Sequence, residues 1–280
     1  MDLRPRLTEQ DLDFVLETAA PDFSDRAKLR RLIVEDEDFR RGLVADEKVF
    51  ERLMAEEDIF LRISPGLYFE VLLRRAIREL ERATHTVERF RTQAIPVFDT
   101  KVVLDLLAEQ RVLDYLADML SSFTRIETFV VPVRITKGIW RKIRYNDMDI
   151  DSLSRMCETV GEESRLAFYK RIADVCLFVL GIFPEYAYFD YRYPFSGEVR
   201  PRIAGKARRG MEEYEEEGRK FYRLAAEHQS AKELEMSEIF WMLYENFNAA
   251  RKPMNFISEH YLYYKKQDLF GAETGSRKPG

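Results

Sequence analysis

The stretch ESRLAFYKRIADVCLFVLGIF, residues 163–183, decides how this chain folds. Its apolar residues crowd all round a helical wheel, the mark of a helix buried in a protein core. The most apolar part, Val175–Phe183, is nine residues long, whereas crossing a bilayer takes roughly 20. Asp174 and Arg171 stand just before it, and Gly181 and Pro184 end it. The sequence therefore predicts a buried core helix and no membrane span.

Working outward, helical patterns continue on both sides. Towards the C-terminus, a helix starts near Asp151, and others occupy about 206–228, 231–250 and 253–266. Towards the N-terminus, Asp99 is placed to cap a helical pair over Thr100–Phe123, with Leu104, Leu107, Val112, Leu116 and Leu120 forming an apolar face. Ser64-Pro65-Gly66 joins a capping hydroxyl to proline at a first helical position, predicting a helix to about Thr84. Three shorter helices begin at Thr8, Ser24 and Asp46. Pro96 breaks the chain between them and the core.

One segment differs. Phe129, Val130, Val131, Val133 and Ile135 are strand formers, Lys137-Gly138 supplies a turn, and Ile139, Ile143 and Tyr145 follow. This predicts a β-hairpin over 127–145, with Pro132 marking an edge strand. The fold class expected is mainly α: a multi-helix bundle of about ten helices with one short antiparallel β-hairpin. Three regions are expected, 1–95, 96–185 carrying the hairpin, and 186–268, or one continuous domain. A disordered tail is expected over 269–280.

Hydrophobic residues make up 46% and charged residues 34% of the chain, with 20 Phe and 14 Tyr. That suffices for a large aromatic core. The net charge of −5 does not suit a generic nucleic-acid or anionic-membrane binder. Residues 1–62 hold 17 acidic and 11 basic side chains, a net of −6. Cys157 and Cys176 are the two cysteines, read as buried reduced thiols of a cytoplasmic protein. Met1–Gln10 is charged and polar, so no signal peptide is expected.

Several constellations could carry chemistry. Asp147, Asp149, Asp151 and Glu158 match positions 1, 3, 5 and 12 of a calcium loop. Ser152 stands where that loop needs glycine, and Met148 and Ile150 are apolar. The simpler reading is a helix N-terminus capped by Asp149 or Asp151, so no metal is expected. Arg223 and His228, like Arg78 and His85, have the Arg-to-His spacing of helical ribonucleases of the HEPN class, in which His acts as base and Arg stabilises a phosphorane. Arginine is frequent enough here to produce such spacings by chance. GxGxxG and GxxxxGK[ST] are both missing from the chain, and no cofactor is expected.

Two features suggest binding. Arg134, Lys137, Arg141, Lys142 and Arg144, with Trp140 among them, could contact phosphates and stack on a base, or keep an edge strand soluble. The aromatic segment 184–201, with Tyr188, Tyr191 and Tyr193, is either core or partner surface. A second basic run, Arg200–Arg209, is followed at once by Glu212–Glu217, so local pairing is expected.

The motifs Leu177-Phe178-(x)2-Gly181-(x)1-Phe183-Pro184-Glu185 and Gly218-(x)2-Phe221-Tyr222-Arg223-Leu224-Ala225 resemble an uncharacterised family of bacterial helical proteins. The resemblance covers roughly 100–228. It implies a bacterial cytosolic origin and no particular activity. The expectation drawn from the residues is a non-catalytic protein that works by contact with a protein partner or a second copy. Nucleic-acid binding through 134–144, and a ribonuclease using Arg223 and His228, are the alternatives.

Overall fold

The computed structural model describes residues 7–90, 93–125, 128–136, 139–187, 209–263 and 265–270; for 89–90, 93–94, 128–136, 139–146 and 267–268 it describes the backbone alone. The chain is mainly α. Among the described residues it has fourteen α-helices and two separate two-stranded antiparallel sheets. The described residues gather into two compact units, 7–121 with 259–261, and 122–258 with 262–270.

The N-terminal unit opens with α1 (Glu9–Ala19), held by a reciprocal capping box between Thr8 and Asp11. Asp11 is fully buried, and its second oxygen accepts from the Ser64 amide at 2.7 Å. One carboxylate thus satisfies the starts of two helices. Three short helices follow, α2 (Arg26–Glu35), α3 (Glu37–Val44) and α4 (Glu47–Ala55). Asp25, Asp36 and Asp46 cap them in turn, accepting from the amides of Lys28, Phe39 and Lys48. The sequence reading missed α3. Its signal was a ten-residue echo: Asp36-Glu37 and Asp46-Glu47 each lead to Leu then Ala, at Leu43/Ala45 and Leu53/Ala55. Leu12, Leu16, Leu29 and Ile33 form the small core beneath these helices.

Then comes α5 (Pro65–Arg82), begun by Ser64 and Pro65 as the sequence predicts. Its face from Leu67 to Leu80 is the centre of the unit. A hairpin follows, β1 (Thr86–Phe90) and β2 (Gln93–Val97), and then α6 (Thr100–Ala108) and α7 (Gln110–Ser122). This hairpin is additional to the one expected. Pro96 sits inside it, opposite Val87, which a two-stranded sheet permits because each strand has an outer edge that needs no N–H donor. Asp99 stands at the N-cap of α6 as expected, but its side chain bonds no helix amide. Its carboxylate accepts instead from the Thr86 hydroxyl at 2.5 Å, tying the hairpin to the helix start.

The C-terminal unit contains β3 (Thr128–Thr136) and β4 (Ile139–Asn146), the expected hairpin. Next are α8 (Ile150–Thr159) and the buried α9 (Arg165–Ile182). After the undescribed 188–208 come α10 (Met211–Glu227), α11 (Gln229–Glu233), α12 (Ser237–Glu245), α13 (Phe247–His260) and α14 (Lys266–Phe270). Every residue of α9 from Ile172 to Ile182 is buried, Asp174 included. Lys170 and the Tyr222 hydroxyl bond that carboxylate at 2.7 and 2.9 Å, which makes a buried charge tolerable. The helix packs closely on α10 because Gly218 carries no side chain: a Cβ there would stand 2.5 Å from the Phe247 ring and 2.9 Å from the Cys176 Cβ. The carbonyls at the end of α9 would be orphaned in the core. Asn255 donates to Leu180 and Gly181, and Ser258 and Lys266 donate to Ile182. Helix α13 passes through Pro253 rather than beginning there; packing on a buried face outweighs one missing backbone donor. Among the described residues no helix is long and apolar enough to cross a membrane.

Candidate interaction surfaces

Among the described residues, β1–β2 and the start of α6 carry several exposed apolar side chains. Cross-strand pairing sets Thr86 opposite Val97 and Val87 opposite Pro96, and alternation sends these two pairs to opposite faces. Thr86 is buried, while Val87 is 45% exposed and Pro96 lies open on the other face. Phe98 is 81% exposed and Val102 50% exposed. The Phe98 ring meets His85 at 5.8 Å, and His85 is itself exposed. Sequence reasoning missed this surface because it predicted no hairpin over 86–97. A second, shallower feature is a depression of about 210 Å³ lined by Gln10, Asp13, Phe14, Glu17, Leu61 and Arg62. Its carboxylates are already engaged, Asp13 by Arg30 and Glu17 by Arg52 and Arg62.

The basic hairpin has a clear register. Arg134 pairs with Trp140, Pro132 with Lys142 and Val130 with Arg144; the alternate pairs are Val133 with Arg141 and Val131 with Ile143. Positions 134, 140, 142 and 144 therefore share one face of the ribbon, and position 141 shares the other with Val131, Val133 and Ile143. Lys137 lies outside the described residues, as do Tyr188, Tyr191 and Tyr193 and the tail from 271.

The calcium-like carboxylates have separate occupations. Asp147 binds the Arg171 guanidinium, whose Nε also donates to the Asp147 carbonyl at 3.1 Å. Asp149 caps α8 through the Ser152 amide and hydroxyl. Asp151 pairs with Arg209, and Glu158 is exposed. Among the described residues no group of three or more ligating side chains could hold a metal. Arg209 also pairs with Glu217 at 2.6 Å, a contact between the basic and acidic runs.

His228 is buried at the start of α11. Its Nδ1 accepts from the Ser230 amide at 3.1 Å, and Nε2 stands 2.8 Å from the Glu162 carbonyl. With both nitrogens engaged, the ring acts as a helix cap. Arg223 reaches Glu227 at 3.9 Å from a half-exposed position. In the other pair, Arg78 lies 3.7 Å from Glu47, and the His85 ring contacts Thr84 and Phe98.

A buried ionic cluster was invisible in the sequence. Glu70 on α5 has no exposed surface; Arg40 on α3 grips both its oxygens at 3.0 and 2.5 Å, and Arg74 bonds one at 2.9 and 3.0 Å. Asp114 on α7, 4% exposed, accepts from the Gln110 amide at 2.5 Å. Arg40 and Glu70 are 30 residues apart, and nothing local in the sequence pairs them.

Compared with family models, curated proteins and solved structures, the chain matches none. Of the residues behind the resemblance, Leu177, Phe178, Gly181 and Phe183 are buried on or just after α9, and Gly218 and Tyr222 are buried on α10.

Proposed function

We propose that this is a non-catalytic helical protein of the cytoplasm that docks a protein partner onto the apolar surface of β1–β2 and α6. The observation that carries the reading is Phe98, an aromatic ring left 81% exposed beside Val87 and Val102. Covering a ring of this kind on binding is worth roughly 1.5–3 kcal/mol, and aromatic anchors dominate contact energies. The buried free thiols of Cys157 and Cys176 suit a reducing compartment. The test is affinity capture from host lysate with a Phe98→Ser/Val102→Ser variant beside wild type, together with light scattering. The variant is expected to lose partner or self-association by about 30-fold or more, as for a hot spot of 2 kcal/mol. Its fold should be unchanged within about 0.5 kcal/mol, because both positions are exposed. A wild-type monomer that captures nothing reproducibly, or equal capture by both proteins, would sink the reading.

A second reading rests on the register of β3–β4, which gives Arg134, Trp140, Lys142 and Arg144 a common face. A cationic face with one aromatic suits single-stranded nucleic acid. Changing Arg134, Lys142 and Arg144 to Ala is expected to abolish a low-salt gel shift. Changing Arg141, on the other face, is expected to leave it. In wild type the affinity should fall steeply with salt, and no shift at low salt would end this reading.

A further inference from the structure

We propose that the partner at the β1–β2 surface is a second copy of this chain, joined antiparallel along the outer edge of β1 with Val87 opposite Val87. The inference rests on the docking reading above and names its occupant. Pro96 fixes which backbone groups turn outward. A hydrogen-bonded pair in an antiparallel ladder exchanges two N–H···O bonds, and proline has no N–H. Val87 and Pro96 are cross-strand partners, so theirs is a non-hydrogen-bonded pair. The bonds inside the hairpin then belong to the pairs Thr86–Val97 and Glu88–Ile95, and the N–H and C=O of Val87 point away from β2. On the opposite edge, Pro96 offers a carbonyl and no donor, which blocks strand addition there. Among the described residues β1 lies in a two-stranded sheet, and no element but β2 packs extensively against it. One edge of the hairpin is therefore open.

Charge selects the register. An added antiparallel strand sets outward-turned backbone groups against outward-turned ones. A two-fold pairing of β1 with itself therefore centres on Val87, Glu88 or Arg89. Centred on Glu88 it places two carboxylates directly opposite each other, and centred on Arg89 two guanidinium groups; like charges so placed oppose pairing. Centred on Val87 it sets valine against valine and Glu88 against Thr86. Because Val87 also pairs with Pro96, this register aligns Pro96, Val87 and the same two residues of the second copy in one apolar row. The row lies on the open face of the resulting four-stranded sheet, where Val87 and Pro96 are exposed in the single chain.

The test is light scattering of the full chain over a range of concentrations, comparing wild type with Val87→Pro. Wild type should dimerise. Proline at 87 gives β1 the block that Pro96 gives β2, and should weaken the dimer about 30-fold, since each copy loses one donor worth roughly a factor of five. Mild oxidation of Val87→Cys decides independently if the proline variant folds poorly. In the proposed register the two introduced residues have Cα atoms about 5.5 Å apart, inside the disulfide span of roughly 4.4–6.8 Å. A covalent dimer should therefore form faster than from Ile95→Cys, a position as exposed as Val87, at 45%, but on β2. Cys157 and Cys176 are buried. A chain that stays monomeric, undiminished association in a folded Val87→Pro, or equal crosslinking from the two cysteine variants would overturn the proposal. If such a monomer still captures a lysate protein through Phe98, the docking reading stands without the second copy; if it captures nothing, both fall.

Discussion

Replacing Glu70 with alanine is expected to cost the N-terminal unit about 3–5 kcal/mol, the range for breaking a buried ion pair by removing one partner. The reason lies in what would remain. Arg40 and Arg74 are both largely buried against Glu70, and Arg40 is held at both ends of its fork. Deleting the carboxylate removes the anion that two largely buried guanidinium groups share. Glu70→Gln keeps the shape and loses the charge, so a smaller loss is expected. Exchange protection of the α3 and α5 amides reads the effect directly, because both tryptophans, Trp140 and Trp241, belong to the C-terminal unit. Unchanged protection in Glu70→Ala would show that these charges carry no structural weight.

In the C-terminal unit the largest loss is expected at Phe178, where Phe178→Ala should cost about 3–5 kcal/mol. Phe178 is 1% exposed and stacks on Phe123 with centroids 4.1 Å apart. Its edges meet Phe183 at 5.7 Å and Phe270 at 5.0 Å. On Phe123, the Arg171 guanidinium sits 4.0 Å from the ring centroid. Removing the central ring opens a cavity and unpairs three aromatic contacts, each worth about 0.5–1.5 kcal/mol beyond its area. Tryptophan fluorescence during denaturant unfolding measures this, and a midpoint within error of wild type would contradict the packing account. Phe178→Leu fills more of the space and should cost correspondingly less.

The elements that were legible share one property: their causes lie within a few residues. Thr8 and Asp11, Ser64 and Pro65, and Asp46 announce helix starts because a cap bonds amides two or three positions away. The density of apolar residues in 165–182 marks a core helix because no exposed face is left. The hairpin 128–146 shows because β-branched and aromatic residues flank a glycine turn. The errors also have local causes. Pro253 marks a helix start in the sequence, yet the buried helix α13 runs through it. Asp99 takes the N-cap position of α6, but its carboxylate serves Thr86 of the hairpin rather than a helix amide.

The chain's own order of residues thus determined its helical class, the caps of its main helices, the basic ribbon and the buried character of α9, since hydrophobic period and capping act over one or two turns. Tertiary structure alone decided that Glu70 meets Arg40, that Asp174 meets Tyr222, that Asp147 and Asp151 pair with distant arginines, and that Phe98 is left outside. Those outcomes depend on which helix faces which across tens of residues, and each partner's value is set by burial, which no single segment carries in its own sequence.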